Sequence, residues 1–169
     1  MKQNMTIARA WRYAAAIAVL SFAAAARAEP PAIFTSLEGA WTAEGKAFGA
    51  AARSQMIWAP ALGGNFYRVD YRIEMTREGG VESFEGVGHY RPEGVDAARG
   101  YWADNTGDLH PIVARISAQA ILSDWGVAGG KQGRTEYRLK DDGVVVTDWI
   151  LTADGWKQFN KATFKRATP

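Results

Sequence analysis

The stretch "NFYRVDYRIEM", residues 65–75, decides the fold. Arg68, Asp70, Arg72 and Glu74 alternate with Tyr67, Val69, Tyr71, Ile73 and Met75. Successive side chains of a strand point to opposite faces, so this segment has one charged face and one apolar face and lies over a one-sided core. "GRTEYRLK" (133–140) repeats the pattern, with Arg134, Glu136, Arg138 and Lys140 outward and Thr135, Tyr137 and Leu139 inward. In the last such run Lys157, Lys161 and Lys165 share one parity, which turns Trp156, Gln158, Asn160, Ala162, Phe164 and Arg166 inward.

Outward from these runs, turn signals recur: "APALGGN" (59–65), "REGG" (77–80), "RPEG" (91–94), "NTGD" (105–108), "AGGKQG" (128–133), "DDG" (141–143) and "ADG" (153–155). Between them lie short segments rich in Val, Ile, Tyr, Phe, Trp and Thr, the signature of hairpins in an all-β domain. The spacing predicts about ten strands, near 38–46, 51–58, 65–76, 82–91, 99–105, 110–118, 120–126, 132–140, 143–152 and 156–166. Only the 91–99 connection is long for a hairpin. An antiparallel meander with one charged face closes most simply into an up-and-down barrel, which removes the sheet edges. A β-sandwich is the structural alternative. "PAIFTSLEG" (31–39) predicts one helical turn before the first strand.

The N-terminus reads as a separate unit. Lys2, Arg9 and Arg12 precede the apolar run "AAAIAVLSFAAAA", and Ala26-Arg27-Ala28 supplies small residues for cleavage before Glu29. Residues 1–28 are therefore expected to be a signal peptide, and residues 29–169 a single barrel domain that is periplasmic or secreted. The alternative is a retained anchor, although the run falls short of a membrane span and no later segment approaches one. Removing four basic residues changes the net charge from +2 to −2. Without a basic patch, nucleic acid is not an expected partner. The chain has no cysteine, so an exported domain must stand on its core alone. Six of the seven tryptophans lie after residue 28, a density suited to pockets for flat apolar ligands.

Catalytic and metal signals are sparse. With no Cys and only His89 and His110, no zinc site of recognisable spacing can be written, and no glycine-rich loop leads from a strand into a helix. His110 shares parity with Ile112, Ala114 and Ile116 and is expected to point inward near a barrel mouth, either bonded at the rim or poised for chemistry. His89 shares parity with Glu85 and Arg91 and is expected outward. Phe84, Gly86, Gly88 and Tyr90 take the inner side of their strand, the glycines permitting either curvature or room for a ligand. Trp102 and Asp104 share a parity, and Asp104 is either a ligand anchor or a strand-end carboxylate accepting turn N–H groups. Gln158 and Asn160 form an inward polar pair, serving a structural network or a ligand.

"LEGAWTAEG" (37–45) resembles the Gly-x-Trp opening of lipocalins and the wider calycin superfamily. That resemblance implies that Trp41 closes one barrel end under a basic residue of the last strand, a role that falls to Arg166. "VTDWIL" (146–151) is similar to the lipocalin Thr-Asp-Tyr string, but only about twenty residues follow it, too few for the helix those proteins carry. The order of "ALGGNFYR", "FEGVGHYRPEG" and "YWADNTGD" after Gly-x-Trp looks more like a bacterial lipocalin-like barrel family of unknown function, over residues 36–166. Nitrobindin-like haem barrels share the Gly-x-Trp start but ligate iron through a C-terminal histidine. This chain has none after His110, so no cofactor is expected.

These readings predict an exported barrel that binds a small hydrophobic or aromatic molecule. The expected contacts are Trp58, Tyr67, Tyr71, Phe84, Tyr90, Trp102, Tyr137, Gln158 and Asn160. The alternative is a cofactor-independent lyase, isomerase or cyclase using the same cavity. Its acid–base candidates are His110, Asp104, Tyr67 and Tyr71. A purely structural barrel is the third class.

Overall fold

The computed structural model describes residues 29–168, and the expected signal peptide lies outside them. A short helix, α1 (Ala32–Leu37), precedes ten strands: β1 (Gly39–Ala47), β2 (Ala50–Ala61), β3 (Phe66–Arg77), β4 (Gly80–Pro92), β5 (Ala97–Asp104), β6 (Leu109–Ile116), β7 (Ala120–Gly126), β8 (Gln132–Lys140), β9 (Gly143–Thr152) and β10 (Gly155–Arg166). Each strand pairs antiparallel with its sequence neighbours, and β1 pairs with β10, so the meander closes into a barrel rather than a sandwich. Even the 91–99 segment is a hairpin, spanning only residues 93–96 between β4 and β5. Among the described residues no helix is long and apolar enough to cross a membrane.

The period-two pattern holds where it was clearest. On β3, Tyr67, Val69, Tyr71, Ile73 and Met75 are buried, while Arg68 and Arg72 are exposed and pair with Asp70, Glu74 and Glu85 on the outer surface. Exposed ion pairs of this kind contribute little each, so the outer ladder fixes register and solubility more than stability.

Alternation fails on β10. The register shifts between Gln158 and Asn160, leaving Phe159 as the extra residue of a β-bulge. One added residue inverts the parity of everything before it. Gln158 and Trp156, expected inside, pair with Trp149 and Leu151 and are exposed; Arg134 lies over the Trp156 ring at 4.5 Å. Beyond the bulge, Asn160 and Phe164 point inward as expected and are buried.

One end of the barrel is shut by α1. The apolar residues Ile33, Phe34 and Leu37 are fully buried, and Phe34 stacks on Tyr67 with ring centroids 4.5 Å apart, near Trp58 and Tyr90. A six-residue helix is too short to persist alone, so it depends on this packing. Trp41 Nε1 donates to the Leu37 carbonyl at 2.7 Å, and the Arg166 guanidinium lies 4.3 Å over the Trp41 ring. The same guanidinium donates to the carbonyls of Glu38 and Ser36, satisfying the unpaired acceptors of a helix end with a cation. Gly39 has φ 108°, and a Cβ there would sit 2.8 Å from Arg166 Nη1. The Gly-x-Trp string thus serves this clamp: the glycine makes room for the arginine that covers the tryptophan.

Candidate functional site

The other end, where β1–β2, β3–β4, β5–β6, β7–β8 and β9–β10 turn, opens into a cavity of about 410 Å³. Phe48, Phe159, Thr106 and Lys131 stand at its exposed rim. The walls carry Phe84, Trp102, His110, Trp125 and Ile150, and the deep part is formed by Tyr71, Tyr90, Tyr137, Thr135, Asp148 and Asn160.

Two tryptophans shape the wall because glycines face them across the sheet. Trp102 pairs with Gly88, and its indole lies over Gly86, where a Cβ would meet Cζ2 at 2.0 Å. Trp125 pairs with Gly133, where a Cβ would meet Cζ2 at 1.9 Å. Gly86 and Gly88, expected to permit curvature or to make room for a ligand, have the Trp102 indole against them, and Gly133 has that of Trp125. His110 stacks on Trp125 at 5.1 Å, and its Nε2 lies 3.5 Å from Asp108 Oδ2.

The chemistry sits on β9. Asp148 shares the inward side with Val144 and Val146, deep in the barrel but accessible from the cavity. Thr135 Oγ1 donates to its Oδ1 at 2.6 Å and Asn160 Nδ2 to its Oδ2 at 2.7 Å, while Trp125 Nε1 donates to Thr135 at 3.3 Å. Burial pushes the carboxyl above the ordinary carboxylate range, against the effect of those two hydrogen bonds. Among the described residues no lysine or arginine forms an ion pair with it. Burial, then the Asp148 charge, drives the Tyr71 hydroxyl far above its usual range. Burial raises Tyr90 to about 12 despite its 3.1 Å hydrogen bond with Ser123, and raises Tyr137 as well. These three hydroxyls therefore keep their protons at neutral pH. Tyr71 and Asn160 are both buried, and hydrogen bonding to Asn160 and Ser54 works against the rise at the Tyr71 hydroxyl.

Most expected contacts meet here. Tyr71, Phe84, Tyr90, Trp102, Tyr137 and Asn160 line the cavity, with His110 and Asp104. Three do not. Trp58 and Tyr67 are packed against Phe34 of the closing helix, and the β10 bulge puts Gln158 outside. Tyr67 accordingly leaves the set of acid–base candidates. Asp104 has the strand-end form: it accepts from Thr106 N, Thr106 Oγ1 and Trp102 Nε1 at 3.0, 2.6 and 3.0 Å. His89 lies outside, stacked on Tyr101 at 4.9 Å. Asp148, Trp125 and Phe159 were missed. An acid on the apolar parity of "VVVTDWIL" was a readable signal for Asp148, whereas nothing in the local sequence marks the Phe159 bulge.

No protein-family model matches this chain, and no curated protein is found similar to it. The closed antiparallel barrel agrees with the architecture that the Gly-x-Trp resemblance implied.

Proposed function

We infer that the barrel binds a small hydrophobic or aromatic molecule bearing a polar group, held in the open half of its interior. The carrying observation is the 410 Å³ cavity, aromatic along its walls, with the polar side chains of Tyr71, Asp148 and Asn160 among those that line it. The clamp of Gly39, Trp41 and Arg166 supports a lipocalin-like ancestry, and the N-terminal pattern supports export to the periplasm or beyond. Titration with a panel of environment-sensitive dyes and aromatic metabolites tests the reading, with mass spectrometry of molecules retained by the purified protein. Saturable binding displaced by a retained molecule is expected. No saturable binding across the panel and nothing retained would sink it.

A second reading, cofactor-independent acid–base catalysis, is favoured by one feature. Asp148 is a buried carboxyl with a raised pKa beside the Tyr71 hydroxyl, at the end of a cavity that admits a substrate. An enzyme of this kind loses turnover in Asp148→Asn while still binding its substrate. Turnover unaffected by that change removes the reading.

A further inference from the structure

The deep polar network is built around Asp148. Trp125 donates to Thr135, Thr135 to Asp148, and Asn160 to Asp148. Two donors leave lone pairs of the Asp148 carboxyl to spare, and Asp148 lines the cavity together with Tyr71 and Asn160. When ionised, Asp148 is a negative charge with no ion-pair partner among the described residues, in a cavity also lined by Tyr71, Trp102 and Trp125, and it complements an N–H donor carrying positive charge.

We propose that the cavity is selective for an organic ammonium ion on an aromatic or apolar skeleton, with Asp148 accepting its N–H groups and the indoles flanking its body. The proposal rests on the interior-binding reading and narrows it to a ligand class. A neutral molecule of the same shape leaves the carboxylate without its counter-charge.

The test is calorimetric titration with two probes of equal skeleton, tryptamine and the neutral alcohol tryptophol, on the folded protein and on Asp148→Asn. Tryptamine is expected to bind about tenfold tighter or more. In Asp148→Asn that preference falls to near parity, while tryptophol binding is kept. As pH is lowered, tryptamine affinity of the parent falls as Asp148 takes up a proton. Tyr71, Tyr90 and Tyr137 face Asp148 from β3, β4 and β8 and stay protonated throughout. Asp104, His110 and Lys131 at the mouth act equally in Asp148→Asn, so only the pH dependence lost in that variant belongs to Asp148. Should Asp148→Asn not fold, the parent's two-probe ratio and its pH profile decide alone. Equal or tighter binding of tryptophol, or a preference unchanged in Asp148→Asn, overturns the ammonium proposal and leaves interior binding intact. Failure of both probes and of the whole dye panel overturns both.

Discussion

Asp148 is held where its charge is poorly solvated, and that has a measurable effect on folding. Its folded-state pKa lies above the unfolded value, so the native state binds more protons between the two. Stability therefore falls as pH rises through this window and is recovered on acidification. Asp148→Asn removes the ionisable group. The variant is expected to unfold at higher temperature than the parent at pH 7.5, with the difference shrinking toward pH 4, as followed by thermal melts across that range. A parent that is the more stable at neutral pH would show that the Thr135 and Asn160 hydrogen bonds outweigh burial. The position was visible in the sequence, because Asp148 interrupts the apolar parity of Val144 and Val146. Its partners were less so: Asn160 was placed correctly only because it lies beyond the bulge, while Gln158, two residues earlier, was not.

Among the elements, α1 and the β1–β2 hairpin act at opposite ends. Phe34 is fully buried between Trp58, Tyr67 and Tyr90, so Phe34→Ala is expected to cost about 3–5 kcal/mol in denaturant unfolding. A cost under about 1 kcal/mol would mean that the helix docks without closing the core. The helical turn was legible from sequence. Its place inside the barrel was not, because local pattern does not say which surface an apolar trio covers, and so Trp58 and Tyr67 read as ligand contacts. At the mouth, Phe48 and Gly49 form a two-residue turn with φ 49° and 80°, a conformation that suits Asn-Gly and strains phenylalanine. The strained ring nevertheless meets Phe84 at 5.9 Å and Phe159 at 5.7 Å across the rim. Phe48→Asn is expected to gain on the order of 1 kcal/mol of stability from the turn and to speed ligand dissociation in stopped-flow experiments. Unchanged dissociation would mean that the ring does not guard the entrance.

Across the whole molecule, closure is uneven. β1 and β10 share only two register pairs, Trp41 with Arg166 and Thr42 with Lys165, whereas β1 and β2 pair along their full length. The seam is fastened beside the helical plug and unpaired toward the mouth, where Phe48 and Phe159 touch. Amides of Ala43–Ala47 that point toward β10 are expected to exchange with solvent at least about tenfold faster than their neighbours bonded to β2. Uniform protection along β1 would mean that the seam is closed by contacts other than strand pairing. Ten strands and their order were readable because turn chemistry marks seven of the nine hairpins. Closure was expected too, with Arg166 over Trp41 at the seam; the shortness of the β1–β10 pairing was not, since pairing between the first and last strands leaves little local mark. The stacking of His110 on Trp125 adds a practical consequence. Indole emission responds to what lies against the ring, so a guest that displaces the imidazole or settles beside it alters the signal of a tryptophan already built into the wall. On the interior-binding reading the barrel would be its own unlabelled optical sensor, reporting occupancy in a cuvette before any guest is identified.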